Sequence, residues 1–96
     1  MLRVLLFPDT GAWVAQALEL DVCAQGVTEE QAIENLDATI HIHEALDSES
    51  GAEPLADVKR VPPAIFERLY QAALPWDRGK PGLVVRRTPL EQASVA

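Results

Sequence analysis

Residues 13–36 read WVAQALELDVCAQGVTEEQAIENL, and this stretch decides the fold. From Ala12 to Leu18 the chain alternates, with Trp13, Ala15 and Ala17 on one side and Val14, Gln16 and Leu18 on the other. Period two is the pattern of a strand. The small Ala15 and Ala17 leave room for a helix to pack closely over their side. Glu19-Leu20-Asp21 then leads into Val22-Cys23-Ala24-Gln25, a third short strand that Gly26 ends. Thr28 is an N-cap, and Gln31, three residues on, completes a capping box. Val27, just before the cap, is placed to staple against Ala32. Glu29 and Glu30 sit at the positive end of the helix dipole.

Outward from this stretch, Leu2 to Phe7 is an apolar strand that stops at Pro8-Asp9-Thr10-Gly11, a turn that predicts an antiparallel hairpin with the next strand. Downstream, the helix continues to about Asp47. At about 100° per residue, Ala32, Ile33, Leu36, Ile40 and His43 share its inner face, with Thr39 and Leu46 at the edge. Glu30, Glu34, Asp37, His41 and Glu44 gather on an adjacent face, and Ile42 points away from both. Ser48 to Ala56 is loop by composition. Pro62-Pro63 opens a second helix over about 62–74, with Ile65, Phe66, Leu69 and Ala73 as its buried stripe and Pro75 as its stop. Trp76 to Gly82 is turn-rich and Trp76 is expected to cap the second helix. A last strand is expected over about 83–88, stopped by Pro89, and a frayed tail over 90–96. The predicted class is α+β: a small antiparallel sheet of three or four strands, β-β-β-α-α-β, with the main helix packed on one face. Residues 1–96 form one domain whose core lies in 2–47.

The totals narrow the function. The net charge of −7 repels a phosphate backbone. The nearest thing to a basic cluster is Arg78, Lys80, Arg86 and Arg87, so direct nucleic-acid binding is not expected and a basic protein partner is. Cys23 is the single cysteine, which rules out an internal disulfide. It reads as a small core residue in a strand, with no His near in sequence to activate it as a nucleophile. No run approaches the roughly 20 apolar residues of a membrane span, and the opening MLRVLLFPDT is too short in its apolar run for a signal peptide. A cytoplasmic location is the expectation. A chain of this size has a thin core, so association into a dimer or tetramer would help it.

With these elements placed, the segment Gln25-Gly26-Val27-Thr28-Glu29-Glu30-Gln31-Ala32-Ile33-Glu34-Asn35, following a hairpin and a Leu-Glu-Leu-Asp link, resembles the HicB-like family. Its members are antitoxins of type II toxin–antitoxin pairs and solitary relatives. The resemblance covers residues 2–46, and a solitary subgroup has a Pro-Pro-opened second helix similar to Val61 to Leu74. It implies a partial ribonuclease-H-like fold; from the residues themselves, no enzymatic activity and no cofactor are expected. It also implies that the chain binds a small basic RNA-cleaving toxin of the HicA type and masks its RNA site. The chain departs from the family at Leu18-Glu19-Leu20-Asp21-Val22, where Pro-Asp-Leu-Pro-Gly is frequent, and shows no ribbon-helix-helix or helix-turn-helix segment.

Several residues carry a sharper reading beside an ordinary one. Glu30, Glu34, Asp37, His41 and Glu44 are a docking face for the basic partner, or a solvated helix surface. Ile42 beside them hints at a contact beyond the domain, and self-association as a solitary structural or regulatory protein is the alternative function. A ribonuclease-H-type nuclease would need Asp9, Asp21 and Glu34 to converge on divalent metal, and their positions in the chain speak against it. His41 and His43 are two residues apart on a helix, about 200° around its axis, so they do not chelate one ion together. His43 reads as a half-buried packing residue. Trp13 reads as sheet core or interface.

Overall fold

The computed structural model describes residues 1–78 and 80–88. The expectations for Pro89 and for the tail over 90–96 lie outside the described residues. The chain folds in the order β1 (Leu2–Asp9), β2 (Ala12–Ala17), β3 (Cys23–Gly26), α1 (Glu29–Ser50), a 3-10 turn (Ala56–Val58), α2 (Ala64–Ala72), β4 (Leu74–Trp76) and β5 (Leu83–Arg87). The α+β class is as expected. The sheet is not: it has five strands and is mixed, in the order β3-β2-β1-β5-β4. β5 lies parallel to β1, with Leu2 opposite Leu83 and Leu6 opposite Arg87, whereas β1–β2, β2–β3 and β4–β5 are antiparallel.

β1 is central because it is apolar on both sides. Val4, Leu5 and Leu6 are all fully buried, and a continuous apolar run is the mark of a strand covered on both faces. Val4 and Leu6 face α1, together with Ala15, Ala17, Trp76 and Val85. Leu5 faces α2, together with Leu18, Tyr70 and Ala73. The sheet is therefore sandwiched between two helices rather than covered on one side.

The second layer corrects three expectations. Leu74–Trp76 is an edge strand, not a helix end and a turn, because α2 stops at Ala72 and the chain turns to pair with β5. Pro75 is tolerated there because an edge strand has one side free of ladder bonds. Trp76 is buried in the α1-side cluster and does not cap α2. On α2 itself, Tyr70 is buried and Ile65 is half exposed, so the stripe that packs is Phe66, Leu69, Tyr70 and Ala73. Helix α1 also outlasts its expected end by three residues. Gly51, at φ +77, closes it by donating to the Ser48 carbonyl while Ala52 donates to that of Asp47, the paired bonds of a Schellman cap.

The turn into α1 is built largely as the sequence indicates. Thr28 Oγ1 accepts from the Gln31 amide at 3.0 Å. Gln31 Oε1 reaches one residue further back than a capping box requires and accepts from the Val27 amide at 2.7 Å. Val27 is 72% exposed and staples nothing. The close contact is made by Gly26 instead: a Cβ there would stand 2.5 Å from the Ala32 amide nitrogen. Asn35 Nδ2 donates to the Gln25 carbonyl at 2.7 Å and ties the helix back to β3.

Arg3 fastens α2 to the sheet. Its guanidinium makes two bonds to the Glu67 carboxylate, 2.5 and 2.9 Å, and one to Glu19 at 2.6 Å. It also lies over the Tyr70 ring, 5.3 Å from the centroid. The Arg3 bonds hold the Glu67 carboxyl below its ordinary value of 4.5. A group lowered on folding contributes stability that is present above its unfolded pKa and is lost as pH falls through the folded one. Acidification below about pH 4.5 is therefore expected to loosen α2 from β1. Thermal melts across that range should show a smaller drop for Glu67→Gln than for the wild type. An identical acid dependence in the two proteins would refute this role.

Candidate functional site

Helix α1 carries seven carboxylates, Glu29, Glu30, Glu34, Asp37, Glu44, Asp47 and Glu49, and no lysine or arginine. Its 22 residues span about 33 Å at 1.5 Å each. The buried positions Ala32, Ile33, Leu36 and Ile40 lie within the first twelve residues, where the sheet lies beneath. The second half carries the exposed Ile42 and Leu46.

The structure divides the expected docking face in two. At the near end, Arg87 bonds Glu29 at 3.1 Å, Arg78 meets Glu30 at 2.8 Å and Lys80 comes within 4.0 Å of Glu34. The basic cluster near the C-terminus is thus largely spent on the start of α1. Arg86, one residue from Arg87, points to the opposite side of the sheet, as strand periodicity requires, and stacks on Tyr70 at 4.6 Å. These counter-charges escaped the sequence reading because they come from a distant strand and loop. The available signal was the coincidence of a base-free, acid-rich helix with a short basic segment some fifty residues away.

From Asp37 onward the acids of α1 lack such partners among the described residues. Among the described residues, no lysine or arginine lies within ion-pair distance of Asp37, Glu44, Asp47 or Glu49. Asp37 meets only His41, whose Nδ1 is 2.8 Å from the Asp37 carbonyl and 3.7 Å from its carboxylate. Asp47 accepts the Leu55 amide at 2.8 Å and so anchors the loop after the helix. Asp37, His41 and Glu44 form one wall of a cleft of about 240 Å³. Its other walls are apolar: Leu2 from β1, Leu20, Ile40 and Leu55, with Pro81, Gly82 and Leu83 entering β5. Of the expected face, Asp37, His41 and Glu44 therefore come together at a cleft, and Glu30 and Glu34 do not join them there.

The remaining candidates are placed separately. Asp9 is exposed at the end of β1. Asp21 pairs with Arg60 at 3.2 Å, and Glu34 lies by Lys80. The three acids of the nuclease reading are not brought together, and among the described residues no group of three or more His, Cys, Asp or Glu is placed to hold a metal ion. His43 is half-buried. Cys23 is exposed on β3 rather than in the core, because β3 is an edge strand and its register puts Ala24, not Cys23, against the α1-side cluster. Trp13 is partly buried against that same cluster. A second hollow, of about 280 Å³, lies at the opposite sheet edge beside Pro75, Trp76 and Val84. Among the described residues no helix is long and apolar enough to cross a membrane. Compared with protein-family models, with curated proteins and with solved structures, the chain finds no match.

Proposed function

We propose that this chain is a non-enzymatic, cytoplasmic binding module of the HicB-like kind, which holds a small basic RNA-cleaving toxin of the HicA type and covers its RNA site. The observation that carries the reading is the charge of α1: seven carboxylates with no lysine or arginine, of which Asp37, Glu44, Asp47 and Glu49 meet no lysine or arginine among the described residues. A surface that binds RNA is basic, and a carboxylate-rich helix competes for it. Charge complementarity raises the rate of encounter and penalises wrong partners. Of the residues that carry the resemblance, Gln25, Gly26, Thr28 and Asn35 support the same reading from the side of the fold, since with Gln31 they build the corner that sets α1 on the sheet.

The test is stoichiometric inhibition of small basic ribonucleases of this type by the purified chain. Association should slow about tenfold or more between low and high salt, in keeping with steering by charge. It should slow comparably when Glu30, Glu34, Asp37 and Glu44 are changed to Gln, Gln, Asn and Gln together. A panel of such ribonucleases that neither binds nor is inhibited would sink the reading.

Self-association is the second reading, and one observation favours it: Ile42 and Leu46 are 59% and 58% exposed on the outer side of α1. Sedimentation at several concentrations decides between them. Two copies packed through α1 would bring like charges together, so a dimer held there should tighten with salt, whereas the complex with a basic partner should weaken.

A further inference from the structure

We infer that the cleft between the middle of α1 and the ends of β1 and β5 is a receptor for one long basic side chain, lysine or arginine, projecting from a protein partner. The inference rests on the reading of the chain as a module for a basic protein. Size is the first consideration. At about 240 Å³ the cleft is smaller than the roughly 300–1,000 Å³ of sites that enclose drug-sized ligands, and it suits a single side chain. The second is the pairing of surfaces. Leu2, Ile40, Leu55 and Leu83 offer apolar area, over which the methylene stem of lysine or arginine packs while its head stays wet. Asp37 and Glu44 stand on the wall two helical turns apart, so a cation seated between them is attracted by both.

Charge complementarity identifies the occupant. The C-terminal end of a helix carries partial negative charge and favours cations. Here Asp47 and Glu49 occupy the last turn, which holds no basic residue, and Glu44 stands one turn before them. Six of the chain's own basic groups, Arg3, Lys59, Arg60, Arg78, Lys80 and Arg87, are engaged by acids elsewhere. The electrostatic mismatch is local, and such breaches of an ordinary rule fall where function resides. A cation supplied from outside relieves it.

Amide resonances of the full chain, followed by NMR during titration, test the assignment. The probes are the N-acetyl, N-methylamide derivatives of arginine and lysine, with the norleucine derivative as the uncharged control. Saturable shifts are expected at Asp37, Ile40, His41, Glu44, Leu55 and Leu83 with both cations, and weaker ones with norleucine. The double change Asp37→Asn with Glu44→Gln should weaken the cationic probes by roughly tenfold, the sum of two partly exposed charge contacts. No saturable shift at these positions, or equal shifts for norleucine, would overturn the assignment. Spermidine binding at the cleft more than tenfold tighter than either blocked side chain would also overturn it, in favour of a small free cation. The two levels of inference fail differently. A basic protein that binds wild type and double variant equally overturns the cleft and leaves the binding module standing. Charge-dependent shifts with the blocked side chains support the cleft even where a given ribonuclease does not bind.

Discussion

Gly26→Ala is expected to cost about 2–3 kcal/mol, near the upper end of what a forced methyl does in a packed core. The added Cβ would stand 2.5 Å from the Ala32 amide nitrogen and 2.8 Å from the Gln31 carbonyl carbon. Both are backbone atoms of the first turn of α1, so no side chain can swing aside to make room. Either the turn moves off β3 or β3 leaves β2. Moving the turn also stretches the Thr28–Gln31 cap and the Asn35–Gln25 tether, which are fixed by the same geometry. At about 4–8 °C per kcal/mol for a domain of this size, the melting temperature should fall by roughly 8–24 °C. Gly51→Ala is the informative comparison. A Cβ at Gly51 meets nothing within 4 Å and suffers only the positive φ of the cap, which costs about 1 kcal/mol. Equal losses at the two glycines would show that backbone conformation, not close approach, is what Gly26 supplies.

The local half of this architecture was legible in the sequence, and the reasons are physical. Alternation from Ala12, the turn at Gly11 and the Thr28 cap each depend on neighbours a few residues away, and the sequence locates each nearly to the residue. Misreadings came where an element is defined by a distant partner. Leu74–Trp76 is three residues long, contains a proline and becomes a strand only because β5 lies alongside. β5 read as a strand, but nothing local to it declares that it runs parallel to β1, some eighty residues earlier. The sandwich of two helices has a signal in the unbroken apolar run Val4-Leu5-Leu6, since a strand apolar on both faces needs cover on both. The candidate site divides the same way. The acids on one side of α1 follow from helical periodicity alone. Which of them are neutralised depends on Arg78, Lys80 and Arg87, and which of them line a cleft depends on Leu2, Leu55 and Leu83.

That division gives α1 two distinct energetic roles along one helix, and they can be separated by mutation. Leu36→Ala in the first half should cost about 2–5 kcal/mol, the range for truncating a fully enclosed leucine. Leu36 has no solvent exposure and belongs to the cluster that joins α1 to Val4, Leu6, Ala15 and Ala17. Those two alanines are small because the helix approaches closely, so on their side no side chain is long enough to fill the gap. The loss should therefore lie in the upper part of the range, a large share of the roughly 5–15 kcal/mol that holds a domain folded. Ile42→Ala, six residues further along on the other side of the helix and 59% exposed, should change stability by less than about 0.5 kcal/mol, since alanine also has the higher helix propensity. Denaturant unfolding of the two variants, with unchanged slopes, checks both values. A stability loss at Ile42 rivalling that at Leu36 and growing with protein concentration would mean that a second copy covers the outer side of α1, and the self-associating reading would then displace the binding module.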